Sequence, residues 1–93
     1  MESSKAKLFW VYVLYSEKIG KPYVGHTHSL HKRLKQHNLP SNTGWTGKGR
    51  PWKLIFKEKH VSRSNAIKRE KYLKSFDGKM ELREIVINYS KDS

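Results

Sequence analysis

The segment Leu8–Tyr15, LFWVYVLY, restricts the possible folds more than any other stretch of the chain. Aromatic and β-branched residues dominate it and no charge interrupts it, which marks a strand. Alternation puts Leu8, Trp10, Tyr12 and Leu14 on one face and Phe9, Val11, Val13 and Tyr15 on the other. Both faces are apolar and both need cover, so the strand belongs at the centre of a sheet with layers on each side. A chain of 93 residues has room for one such domain with a thin core. The expected core covers about residues 8–89, with flexible tails at 1–7 and 90–93.

The rest of the chain supplies the neighbours of that strand. Ser16–Lys21 is a polar turn in which Gly20 suits a positive φ, and Pro22–His26 returns as a short antiparallel strand with Tyr23 and Gly25 on one face. Thr27 or Ser29 can cap the helix that follows. At about 100° per residue, Leu30, Leu34 and His37 share one arc of that helix, with Arg33 at its edge. Residues 38–50, NLPSNTGWTGKGR, form a loop with three glycines. Pro51–His60 is a third strand, with Trp52, Leu54 and Phe56 on one face and Lys53, Lys57 and Lys59 marking a solvated edge. Ser62 or Ser64 caps a second helix reaching Phe76, whose buried side carries Ala66, Ile67, Leu73 and Phe76, with Glu70 inside the same arc. After an Asp77-Gly78 turn, Leu82, Ile85, Val86 and Tyr89 fit a short last helix, while Ile85-Val86-Ile87 leaves a strand open. The order is β-β-α-β-α-α, and there are no internal repeats.

Charge narrows the class of partner. Twenty Lys and Arg against eight Asp and Glu give a net charge of +12, which points to a polyanion and most often to nucleic acid. An anionic membrane surface competes, but no long basic helix with a wide apolar face supports it. The chain has no cysteine, which excludes disulfides and thiolate metal sites and suits a cytoplasmic protein. The segment MESSKAK lacks an apolar signal-peptide core, and Leu8–Tyr15 is too short to span a bilayer.

Several residues suit phosphodiester chemistry, which needs a deprotonated water, neutralised phosphoryl oxygens and a stabilised leaving oxygen. Arg33 can bind a phosphate bidentately and keeps its charge. Glu70, a carboxylate in an apolar stripe, is costly unless paired or bound to a cation, and suits Mg²⁺. Tyr12, Tyr23, His26 and His37 are candidates for proton handling; a phenol with a reference pKa of roughly 10 needs a nearby cation to act as a base. Trp45, beside Lys48 and Arg50 on the glycine-rich loop, suits stacking on a base or, equally, covering a small core. Taken one at a time, these residues also have plain readings: half-buried strand tyrosines, solvated histidines, a surface arginine and a glutamate ion-paired to Arg33, Lys71 or Lys74. The spacing of His26, His28 and His31 also mimics a zinc site.

Tyr12 within Trp10-Val11-Tyr12, followed after a short turn by Tyr23-Val24-Gly25, resembles the two motifs of the GIY-YIG nuclease superfamily. Arg33 lies at the spacing of the family's helix arginine, His37 one turn further, and Glu70 where its metal-binding glutamate belongs. THSLHKRLKQHN, the Thr-Gly-Trp-Thr loop and Ile-Lys-Arg-Glu-Lys-Tyr-Leu-Lys resemble the small single-domain bacterial members of the YhbQ type, so the likeness covers about residues 9–88. It implies an α+β fold in which helices flank a three-stranded antiparallel sheet, with the site on one sheet face. It also implies one divalent ion, Mg²⁺ or Mn²⁺, on Glu70, catalytic roles for Tyr12, Tyr23 and Arg33, a secondary role for His37, and supporting places for Gly25 and His26.

The likeness has departures. Trp10 and Val11 replace Gly and Ile in the first motif and Val24 replaces Ile in the second, while larger members carry a late asparagine for which Asn88 is the candidate. The expected activity is metal-dependent cleavage of DNA, on branched or damaged substrates, with Lys32, Lys35, Trp45, Lys48, Arg50, Lys68 and Arg69 as backbone contacts and little sequence specificity. A catalytically inactive nucleic-acid-binding module is the alternative. A basic module of an RNA–protein assembly fits the composition but not a buried Glu70.

Overall fold

The first strand, β1 (Phe9–Ser16), occupies the centre of a three-stranded antiparallel sheet in a computed structural model that describes residues 7–92. It pairs on one side with β2 (Lys21–Thr27) and on the other with β3 (Lys53–His60), so β2 and β3 are both edges. The β1–β2 turn is held by Ser16: its carbonyl accepts from the Gly20 N–H (2.8 Å) and its hydroxyl from the Ile19 N–H (3.2 Å). Gly20 has φ 65°, a region that L side chains rarely adopt.

The two faces of β1 build two separate cores. Val11 and Val13 join Val24, Ala66 and Leu73, with Phe9, Ile55, Phe56, Leu82 and Ile85 packed around them. Tyr12 and Leu14 join Trp52, with Ile19, Tyr23, Leu30 and Leu34 around them. Helix α1 (Leu30–Asn38) therefore covers one face, and helices α2 (Arg63–Lys74) and α3 (Lys79–Asp92) cover the other. A central strand apolar on both sides requires this layering.

Third-strand alternation does not hold throughout. Val13 pairs with Phe56 but Leu14 pairs with Leu54, so Ile55 is an extra residue in β3. The bulge sends Phe56 to the Val13 core and leaves Trp52 in the Tyr12 core, so the expected single face of Trp52, Leu54 and Phe56 is divided.

Helix α2 begins where Ser62 accepts a hydrogen bond from the Asn65 N–H (3.2 Å) and ends at Lys74, two residues earlier than the periodicity predicts. Ser75 turns the backbone to an extended conformation and its hydroxyl accepts from the Gly78 N–H (3.2 Å). Gly78 presses against the Tyr72 carbonyl, where a Cβ has no room. With the helical phase broken, Phe76 leaves the apolar stripe and is 86% exposed. Helix α3 settles the helix-or-strand alternative as a helix and continues to Asp92, through residues expected as a tail. Its Tyr89 ring packs 6.1 Å from Tyr15. The tail expected at the other end falls, for residues 1–6, outside the described residues.

Arg69 ties the α2/α3 layer to the sheet. Its Nε donates to Glu58 on β3 (2.9 Å) and its two terminal nitrogens donate to the Glu81 carboxylate on α3. The guanidinium holds the Glu81 carboxyl below the usual carboxylate range. Arg69, expected among the DNA contacts, is thus neutralised inside the fold, because two carboxylates already fill its fork of donors.

Leu73 and Phe76 separate the two ends of this helix energetically. Leu73→Ala, at a buried position, should cost about 2–5 kcal/mol, whereas Phe76→Ala should stay within about 0.5 kcal/mol of the parent. Urea unfolding of both variants checks the contrast.

Candidate active site

Tyr12 and Gly25 are direct partners across β1 and β2. A Cβ on Gly25 would stand 2.5 Å from the Tyr12 hydroxyl oxygen. The missing side chain lets the phenol lie over the edge strand, where it is only 1% exposed. Leu30 and Leu34 pack α1 onto the Tyr12–Leu14–Trp52 core, which delivers the next turn of the helix to the phenol. His37 is buried there, with Nε2 3.3 Å from the Tyr12 hydroxyl and its ring 4.7 Å from the Tyr23 ring.

Arg33, one turn earlier, is exposed and donates to the Gln36 side chain (3.3 Å). A cavity of about 270 Å³ opens between these groups, lined by Tyr23, Arg33, Gln36, His37, Asn42 and Thr46. A second cleft runs past the start of α1, lined by Thr27, His28, Ser29, Lys32, Arg33 and Gln36. Arg33 lines both.

The electrostatics of this cluster follow from its burial. Burial pushes the Tyr12 phenol above its ordinary value, only partly opposed by Arg33. Tyr12 and then Tyr23 raise the Arg33 guanidinium further above its ordinary value, so it is charged throughout the working range. Burial, and next the Arg33 charge, lower His37. A neutral imidazole beside a protonated phenol makes Tyr12 the donor and His37 Nε2 the acceptor.

Glu70 approaches from the other layer. Alternation along β2 sends His26 to the α2 side with Val24, and its Nδ1 lies 2.5 Å from Glu70 Oε1. Lys74 donates to Glu70 Oε2 at 2.5 Å and lies 5.9 Å from the centre of the Tyr23 ring. Burial raises the Glu70 carboxyl, but His26 and Lys74 outweigh it and hold it below the ordinary value. The Glu70 charge still reaches Tyr12.

The groups therefore meet around the β2 edge rather than over one sheet face as expected. Tyr12, Tyr23, Arg33 and His37 come from the α1 side, while Glu70 and His26 come from the α2 side. Small Gly25 and the narrow edge strand keep the two sets in electrostatic contact.

Other expectations change as well. Asn88 lines a groove with Ile55, Phe56, Ile85 and Tyr89, between α3 and the opposite edge strand, so it is not part of this site. Arg50 is turned inward on the loop, with Nε donating to the Gly47 carbonyl (3.0 Å) and Nη1 to the Leu39 carbonyl (2.7 Å), and is not a free backbone contact. Among the described residues no three His, Cys, Asp or Glu side chains gather as a metal site, so the spacing of His26, His28 and His31 does not become a cluster. Trp45 fits both of its readings: its ring backs onto Tyr23 and Trp52 at 6.0 and 5.9 Å, yet the residue is 55% exposed.

Gln36, Asn42 and Thr46 were not foreseen; of the three expected ion-pair partners of Glu70, the structure pairs it with Lys74. Asn42 Nδ2 donates to the His37 carbonyl (2.9 Å) and to the Thr46 hydroxyl (2.8 Å), fastening a short 3-10 turn, Trp45–Gly49, against α1. Its one sequence signal is Gly47, which presses against the Asn42 backbone. For Lys74 the signal is its place four residues after Glu70.

Glu70 suits a single divalent ion in donor chemistry. It is an ionised oxygen donor with a side chain 17% exposed, and a hard cation can be held by one carboxylate together with waters and phosphate. Lys74, at 49% side-chain exposure on a flexible stem, can leave it.

The family model described as the GIY-YIG catalytic domain matches residues 8–83. The UPF0213 protein YazA of Bacillus subtilis is 39% identical over 57 residues, covering 61% of this chain and 58% of the relative, so the match spans somewhat over half of that protein. UPF0213 proteins of Staphylococcus saprophyticus and Staphylococcus aureus are 32% and 30% identical, covering 71% and 69% of this chain and 80% and 78% of theirs. No solved structure is significantly similar to the chain.

His37 gives the site an acid sensitivity of known sign. The unfolded chain takes up a proton there near pH 6.5, while the folded protein resists it to lower pH. The folded state then binds fewer protons, so the His37 contribution to stability is present above that pH and is lost on acidification. His37→Asn should give a shallower fall of the urea midpoint between pH 7.5 and 5.5 than the parent.

Proposed function

Because this chain belongs to the GIY-YIG catalytic domain family, we propose that it hydrolyses phosphodiester bonds in DNA with one divalent ion, Mg²⁺ or Mn²⁺. The observation that carries this reading is the cavity where Arg33, Tyr23 and His37 converge, with Glu70 around the strand edge. Arg33 receives the scissile phosphate, since its guanidinium is charged, exposed and open to both clefts. Tyr23, which lines the cavity, faces the attacking water. Tyr12 lies beneath and acts as a fixed donor to His37, holding the imidazole neutral and oriented. Glu70 would hold the divalent ion, which when bound would supply neutralisation of the charge that develops in phosphodiester cleavage.

Lys32 and Lys35 on α1, Lys48 on the loop and Lys68 on α2 are exposed cations that suit the DNA backbone. Trp45 adds a stacking surface beside Tyr23, which favours substrates with unpaired or splayed bases, such as branched or damaged DNA. Among the described residues no helix is long and apolar enough to cross a membrane. A binding module without cleavage is the second reading, favoured because both Glu70 oxygens already have protein partners.

Plasmid and forked-DNA nicking with Mg²⁺ or Mn²⁺ decides between them. Arg33→Ala and Glu70→Gln should each lower the rate by about 100-fold or more while the circular dichroism spectrum is kept. Salt-sensitive binding without nicking by the parent protein identifies the binding module instead. Trp45→Ala should weaken single-stranded DNA by about 1–3 kcal/mol and duplex DNA much less, as read by fluorescence anisotropy.

A further inference from the structure

Glu70 already holds a cation that belongs to the chain. The Lys74 ammonium lies 2.5 Å from Oε2 and 5.9 Å from the Tyr23 ring centre, between the carboxylate and the cavity-lining phenol. His26 Nδ1 occupies the other oxygen, Oε1, at 2.5 Å. The carboxylate is largely covered, whereas Lys74 is half-exposed at the last turn of α2, so the lysine is the partner that can withdraw.

We propose that Lys74 is a displaceable latch on the metal site. In the free protein its ammonium satisfies Glu70, and a divalent ion loads by displacing it. The released ammonium, next to Tyr23, then faces an incoming DNA phosphate. Metal and DNA each favour the state in which Lys74 has left Glu70, so by linkage each raises the affinity for the other. The latch also removes the cost of a poorly solvated carboxylate in the empty site. It rests on Glu70 being the metal carboxylate, as in the reading above.

Direct Mn²⁺ binding to the full chain without DNA, followed by electron paramagnetic resonance, tests the latch apart from any cleavage. Lys74→Gln should bind Mn²⁺ roughly three- to fivefold more tightly than the parent. Lys74→Arg, which keeps the charge at Glu70, should bind like the parent. Lys71→Gln removes the same charge from an exposed neighbouring position and should change affinity by less than about twofold. If Lys74→Gln binds no better than Lys71→Gln while Glu70→Gln abolishes binding, the latch is wrong and the metal assignment stands. If Mn²⁺ binding is absent from the parent and Lys74→Gln, or survives Glu70→Gln, the assignment of Glu70 is wrong and the latch falls with it.

Discussion

The close approach of the Tyr12 phenol to Gly25 is the contact on which the site depends. It requires a residue without a Cβ directly across the β1–β2 ladder, since even a methyl group would stand 2.5 Å from the hydroxyl oxygen. With that space open, a tyrosine from the central strand reaches toward the edge strand and hydrogen-bonds His37 on the covering helix. A larger residue at position 25 would push the phenol away from His37 and disturb the layer that seats Arg33.

Burial and charge are divided between two layers. On the α2/α3 side Arg69 is bound by Glu58 and Glu81, joining strand to both helices. On the α1 side Arg33 has no carboxylate partner among the described residues, and its charge acts on Tyr12 and His37. Two guanidiniums in one small basic domain thus have opposite uses, decided by the acids within reach. An arginine paired with two carboxylates stabilises packing, and one beside neutral acceptors keeps its attraction for an anion.

Placing the site around an edge strand has a physical advantage. Arg33 and the Glu70 carboxylate stand on different layers, so they do not form a salt bridge that would cancel both. Lys74 and His26 satisfy Glu70 in that arrangement. An acid and a guanidinium on one helix face would tend to pair with each other.

Much of the fold was legible in the sequence because its signals are local. Two apolar faces on Leu8–Tyr15 required a central, covered strand, and the period of Leu30, Leu34 and His37 required a helix that buries an imidazole. The motif order was enough to nominate Tyr12, Tyr23, Arg33 and Glu70. The β3 bulge, the early end of α2 and the inward turn of Arg50 arise from register, a backbone close approach and loop carbonyls, none of which periodicity reports. The partners of Arg69 and of Glu70 were likewise settled only by tertiary structure, because an ion pair depends on which layers are brought together, and separations such as the 44 residues between His26 and Glu70 leave no spacing to read.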